Sequence, residues 1–144
     1  MQSYKNHTRY FPLHHFVVTP LTLIILAWSL VNLFTVWGTE DLSQAWYFLA
    51  IAFVLALLPV IARIYALKTQ DRIIRLEMRQ RYYEMTGKSF LKLENKLRLS
   101  QIVALRFAGD DELLNLLDKA VKDKLRSKEI KKSIKNWQED RRRV

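Results

Sequence analysis

The side chains best suited to chemistry fall into three groups, and none completes a catalytic set. His7, His14 and His15 are the only histidines and lie together near the start of the chain. Imidazoles grouped in this way can ligate a metal or haem. No second cluster of His, Asp or Glu accompanies them, so polar anchoring at an interface is the plainer reading. Asp110-Asp111-Glu112 is an acidic run placed where a helix should begin, and acids there suit the positive end of a helix dipole. Lys128, Lys131, Lys132 and Lys135, followed by Arg141, Arg142 and Arg143, form a basic group suited to phosphate or carboxylate contacts. The chain has no cysteine, which excludes disulfides, thiolate metal sites and Cys nucleophiles. It has no Gly-rich phosphate loop, H-E-x-x-H, G-x-S-x-G or EF-hand spacing. We therefore expect no enzymatic activity, cofactor or metal.

The elements that must position these groups begin with two uncharged runs. From Tyr10 to Thr39, and again from Leu42 to Ala62, there is no Asp, Glu, Lys or Arg. Each run can cross a bilayer as a helix, which takes about 20 mostly apolar residues. The first is too long for the apolar core of a secretory signal, and its exit Val36-Trp37-Gly38-Thr39 offers no small-residue cleavage site. Residues 63–144 hold 22 bases against 12 acids, so all of the +10 net charge lies in the second half. Lys5 and Arg9 precede the first run; Arg63, Lys68, Arg72 and Arg75 follow the second; the turn between them carries only Glu40 and Asp41. That asymmetry places both termini in the cytoplasm. Trp37, Trp46 and Tyr47 suit an outer aromatic belt, and Tyr10, Phe11, Phe16 and Tyr65 an inner one. No charge lies inside either span, which argues against an ion or proton pathway in this chain alone. Asn32, with Ala52 and Ala56 at small-xxx-small spacing, is the expected intramembrane helix-contact face, toward the other helix or a further membrane subunit.

The second helix should continue past the membrane, since no Gly or Pro occurs between Arg63 and Thr86, and Gly87 is a natural stop. Ile64, Leu67, Ile74, Met78 and Met85 approach heptad spacing, interrupted by Asp71 and Arg81. Such a stripe serves either self-association, making a homo-oligomer, or packing against the C-terminal unit. That unit should contain a helix capped by Ser100, a second from about Asp111 to Lys122, and a last one from about Lys128 to Gln138 capped by Ser127. Ile130, Ile134 and Trp137 should hold the fold, leaving the lysines on the other face. The last two helices also admit a helix-turn-helix reading, which would imply DNA or RNA. The expected architecture is an all-α membrane protein. An N-terminal segment (1–15) leads into a two-helix transmembrane hairpin (16–37 and 42–62) joined by an external turn (38–41). A cytoplasmic extension of the second helix (63–87) and a small basic helical unit (88–144) follow.

Several segments resemble a family of small bacterial two-pass membrane proteins known only as a domain of unknown function. They are Tyr4-Lys5-Asn6-His7 with Arg9, Leu67-Lys68 with Gln70-Asp71-Arg72, Thr86-Gly87-Lys88, Ala104-Leu105-Arg106-Phe107-Ala108, and Ile130-Lys131-Lys132-Ser133-Ile134-Lys135-Asn136-Trp137. The resemblance spans essentially the whole chain. It implies a bacterial inner-membrane setting and the two-helix architecture, and it brings no activity, cofactor or site residue. The expected role is an accessory or scaffold subunit that positions the basic unit on a larger membrane complex. The alternatives are a tether for RNA, the ribosome or DNA, and a small subunit of a respiratory or transport complex. Anionic lipid is a further expected contact, since each Lys or Arg near it contributes about 1 kcal/mol.

Overall fold

The computed structural model describes residues 11–139. Those residues are all-α apart from one isolated antiparallel bridge between Ala108 and Trp137. A π-helical turn, Leu13–Val18, leads into α1 (Thr19–Thr35); then come α2 (Leu42–Thr86), α3 (Leu91–Glu94), α4 (Leu99–Leu105), α5 (Asp110–Lys122) and α6 (Ser127–Ser133). The chain divides into two compact units at the Leu67–Lys68 boundary, and α2 contributes to both.

In the first unit, helix begins at Leu13, ahead of the 16–37 segment expected from sequence. The widened turn falls immediately before Pro20, whose ring in a regular helix would crowd the carbonyl of Phe16 and whose missing N–H leaves an acceptor unpaired. Thr19 closes the turn, its backbone N–H and its hydroxyl both reaching the His14 carbonyl, the latter at 2.8 Å. The helical stretches Leu13–Thr35 and Leu42–Thr86 are both long and apolar enough to cross a membrane. Pro59 lies inside α2, which runs through it without a break. Burial in this unit is confined to stripes. On α1 it falls at Thr19, Thr22, Leu26, Ser29 and the Asn32–Leu33 pair, and just past its end at Val36; on α2 before Lys68 it falls at Leu42, Ala45, Leu49, Ala52, Ala56, Pro59 and Arg63. Both sets step by three and four residues, the period of one helix face. The remaining faces are large and apolar yet open, with Trp28 74% and Phe34 72% exposed.

The second unit has a core of its own. Gly87, at φ +66, ends α2 in the left-handed conformation that glycine adopts without cost, and its N–H reaches the Tyr83 carbonyl at 2.7 Å. The chain then folds back so that Ile74 and Met78 of α2 pack with Phe90, Leu97, Ile102, Leu105, Leu113, Leu117 and Ile130. Met85 joins the edge of that cluster, so the stripe expected on α2 packs here from Ile74 onward, while Ile64 and Leu67 stand exposed. On α5 the buried set Leu113, Leu116, Leu117 and Ala120 follows helical spacing. The acids Asp110, Asp111 and Glu112 occupy its first turn and Lys119 and Lys122 its last, as the helix dipole favours.

The starts of α4 and α6 differ from the expected serine caps. Their N-caps are Arg98 and Arg126, whose backbone N–H groups donate to the side chains of Gln101 and Glu129, both at 2.6 Å. This is the reaching-back half of a capping box; an arginine side chain has no acceptor to supply the other half. Gln101 also donates to the Leu125 carbonyl at 2.7 Å, tying the start of α4 to the loop before α6.

Phe90 and Leu91 provide a matched test of this packing. Phe90 is fully buried against Tyr82, while Leu91 stands half exposed. Phe90→Ala should cost about 3–5 kcal/mol of stability, whereas Leu91→Ala should stay within about 0.5 kcal/mol. Thermal unfolding of the full chain in detergent, followed by aromatic circular dichroism, separates the two.

Candidate functional site: an arginine-anchored basic surface

Three arginines on α2 fix the framework that carries the basic surface. Arg75 and Arg79, one helical turn apart, hold Glu94 from both sides, through Nη1 to Oε1 and Nε to Oε2, each at 2.6 Å. Glu94 is only 4% exposed, so its carboxylate is almost wholly removed from water. The hydrogen bond from Arg79, with a smaller one from Arg75, holds its carboxyl below the usual range against the opposing effect of burial. Arg81 lies on the adjoining face. It donates to Asp110 Oδ1 at 2.7 Å and to the carbonyls of Arg106 and Ala108 at 3.2 and 2.6 Å. It thereby satisfies two carbonyls of the short connection between α4 and α5. Its interruption of the apolar stripe is thus an anchoring contact.

The last described segment is not the helix expected through Gln138. α6 ends at Ser133, and Ile134 turns extended. Trp137 then stacks on Phe107 with ring centres 4.8 Å apart. Around that stack the Gln138 N–H reaches the Phe107 carbonyl at 2.7 Å, and the Gly109 N–H reaches the Asn136 carbonyl at 2.8 Å. Glu112 accepts from the backbone N–H groups of Lys135 and Asn136 at 3.0–3.1 Å, and Asn136 donates to Asp111 at 3.2 Å. A Cβ on Gly109 would lie 2.5 Å from Asp111 Oδ1 and 2.8 Å from Asn136 Nδ2, so glycine leaves room for this strap. The acidic run is therefore occupied by structure: Asp110 with Arg81, Asp111 with Asn136, Glu112 with the strap.

The outcome for the lysines is uneven. Lys128, Lys132 and Lys135 are exposed. Lys131 is half-buried, with its ammonium 5.6 Å from the centre of the Phe107 ring, where a cation is attracted to the aromatic face. Ile130 is fully buried; Ile134 packs at the core edge; Trp137 serves the strap. Arg141, Arg142, Arg143 and His7 lie outside the described residues. Sequence reasoning passed over Lys119, Lys122, Lys124 and Arg126, which are also exposed. The signal was available: between Lys119 and Lys135 eight bases accompany two acids, and one of those acids, Glu129, caps the Arg126 backbone. On the two apolar helices, Asn32 is half-buried beside buried Leu33, Ala52 is buried and Ala56 half-buried, each on the buried stripe of its helix. His14 and His15 meet edge to face at 4.9 Å in the π-helical turn, and His15 Nδ1 lies 3.0 Å from the Phe11 carbonyl. Among the described residues no three His, Asp or Glu side chains gather as a metal site. The chemistry offered is a fixed display of ammonium groups suited to polyanions and acidic surfaces.

The class defined by these features is an all-α protein with two helices long and apolar enough to span a membrane and a compact helical unit bearing a basic surface. The chain belongs to the family of unknown function DUF6526, whose profile matches residues 1–144. No curated protein and no solved structure matches it.

The Glu94 cluster should govern acid stability. Its folded value lies below the unfolded one, about 4.3 for Glu, so its contribution is complete above that value and is lost as pH falls through the folded value. Between pH 5 and 3 the melting temperature of the full chain should fall, and Glu94→Gln should flatten that dependence. At pH 7, Glu94→Gln should cost about 2 kcal/mol, less than the 3–5 of a fully buried pair because both arginines stay partly wet.

Proposed function

We propose that this protein is a non-enzymatic accessory or scaffold subunit of a bacterial inner membrane. α1 and the first part of α2 would form a transmembrane hairpin, with both termini in the cytoplasm. The basic helical unit would dock on an acidic surface of a larger membrane complex. The observation that carries this reading is the contrast within one chain. On α1 and the first part of α2 the large apolar side chains face outward. Beyond Lys68 most apolar side chains gather into a core, the acids of the 110–112 run are engaged internally, and lysines are displayed. Apolar faces of that extent in water would be strongly unfavourable, whereas lipid accepts them.

Supporting the hairpin, the buried stripes of the two helices have matching three–four periodicity and are rich in alanine on α2, which allows close approach in lipid. Supporting the orientation, Arg63, Lys68 and Arg72 follow the second apolar stretch, while Glu40 and Asp41 lie in the turn. A protein partner is preferred over nucleic acid because α6 offers only two turns and one of its lysines is held over Phe107.

The test is affinity purification of the full chain from native membranes in mild detergent at low salt, with and without nuclease. A stoichiometric membrane-protein partner that survives nuclease is the expected result. With Lys128, Lys132 and Lys135 all changed to Ala, its recovery should drop about tenfold, at roughly half a kcal/mol per exposed ion pair. Partners that are ribosomal or DNA-bound and lost on nuclease treatment would replace this reading with a nucleic-acid tether.

A further inference from the structure

Within the second unit, α2 presents two different faces. The first, at Ile74, Met78, Tyr82 and Met85, packs into the core, and Arg75 and Arg81 reach from it to α3 and α5. Away from it lies a second series, Thr69, Ile73, Leu76, Gln80 and Tyr83, all exposed. Ile73, Leu76 and Tyr83 are 49%, 61% and 62% open. Their steps of four, three, four and three residues are those of a coiled-coil seam, with Ile73 and Gln80 at the a positions and Thr69, Leu76 and Tyr83 at d. We infer that α2 pairs through this seam with α2 of a second copy of the chain, as a short parallel two-stranded coiled coil.

The charges beside the seam select that occupant and its direction. Arg72 and Arg79 fall at g, and Glu77 and Glu84 at e. In a parallel pair each g residue meets the e residue five positions later on the other helix. Arg72 therefore faces Glu77 of the second copy, and Arg79 faces its Glu84. An antiparallel pair would set arginine against arginine and glutamate against glutamate. Arg79 can serve both roles, since it binds Glu94 through Nε and keeps 42% of its side chain exposed. A β-branched residue at a with Leu at d favours two strands, and Ile73 with Leu76 supplies that pair. Gln80, a polar residue at a, opposes its own copy only in this register; along its own helix it donates to Glu84 at 2.8 Å. A seam this short is weak for free peptides. Here packing on the other side already holds α2 helical, so association does not bear the cost of ordering it.

The absence of native cysteine makes the test direct. Leu76→Cys places a thiol in the seam, and Asn115→Cys places one on the exposed side of α5. Under mild oxidation of the full chain in detergent, Leu76→Cys should give at least tenfold more disulfide-linked dimer than Asn115→Cys. Adding Glu77→Arg should lower that yield about fivefold, and adding Arg72→Glu as well should restore it, since the reversed pair attracts again. Gln80→Cys serves the same purpose if Leu76→Cys misfolds, and sedimentation of the unmodified chain should report a dimer. Equal cross-linking at both thiols, failure of the double reversal to restore the yield, or a monomeric mass would overturn the inference.

Discussion

A carboxylate taken out of water must be compensated, and much of this structure follows from how Glu94 is compensated. α3 is a single turn of four residues, too short to persist by itself. Its glutamate is nevertheless buried, because Arg75 and Arg79 on α2 close on both oxygens. That requirement makes the second part of α2 a wall of the helical unit and brings Ile74 and Met78 inward with it. Arg81 then settles where α4 ends and α5 begins, by holding two carbonyls and Asp110 together. The apolar core and the ion pairs are thus two descriptions of the same helix face.

The basic surface depends on the same arrangement at one remove. With the Phe107–Trp137 stack and the Glu112 strap in place, Ile130 is held in the core and the short α6 is fixed by one buried side chain. Exposed lysines on either side of it are therefore presented by a defined backbone. The acids nearby are held in place as well: Asp110 pairs with Arg81, and Asp111, Glu112 and Glu129 accept hydrogen bonds within the fold. The local excess of positive charge comes from the number of bases between Lys119 and Lys135.

What could be read from the sequence was the periodic and the local. The two apolar stretches, the stop at Gly87, the amphipathic α5 and the burial of Ile130 all come from spacing or from one residue's conformational preference. What could not be read was the non-local. Arg75 counts equally well as a membrane-flanking cation and as a partner of Glu94, and sequence has no means of pairing residues that far apart. The end of α6 was missed because Trp137 keeps helical spacing with Ile130 and Ile134, while its energy comes from stacking on Phe107 in a distant segment. The caps were misplaced by one or two residues because Gln101 and Glu129 reach backward, making arginine an acceptable N-cap where serine has the higher preference.

The order of the chain adds a dimension of time to the arginine contacts. The partners of Arg75, Arg79 and Arg81 lie 19, 15 and 29 residues later in the sequence. At a synthesis rate of roughly 5–20 residues per second, these cations emerge about one to several seconds before the acids that receive them. During that interval they are free positive charges just behind the second apolar stretch, where such charges bias which side of a membrane a nascent helix end remains on. Once Glu94 and Asp110 have been made, the same three side chains become internal cross-links. In the hairpin reading, each guanidinium acts twice, first as an orienting charge on an unfinished chain and then as a lock on the finished fold.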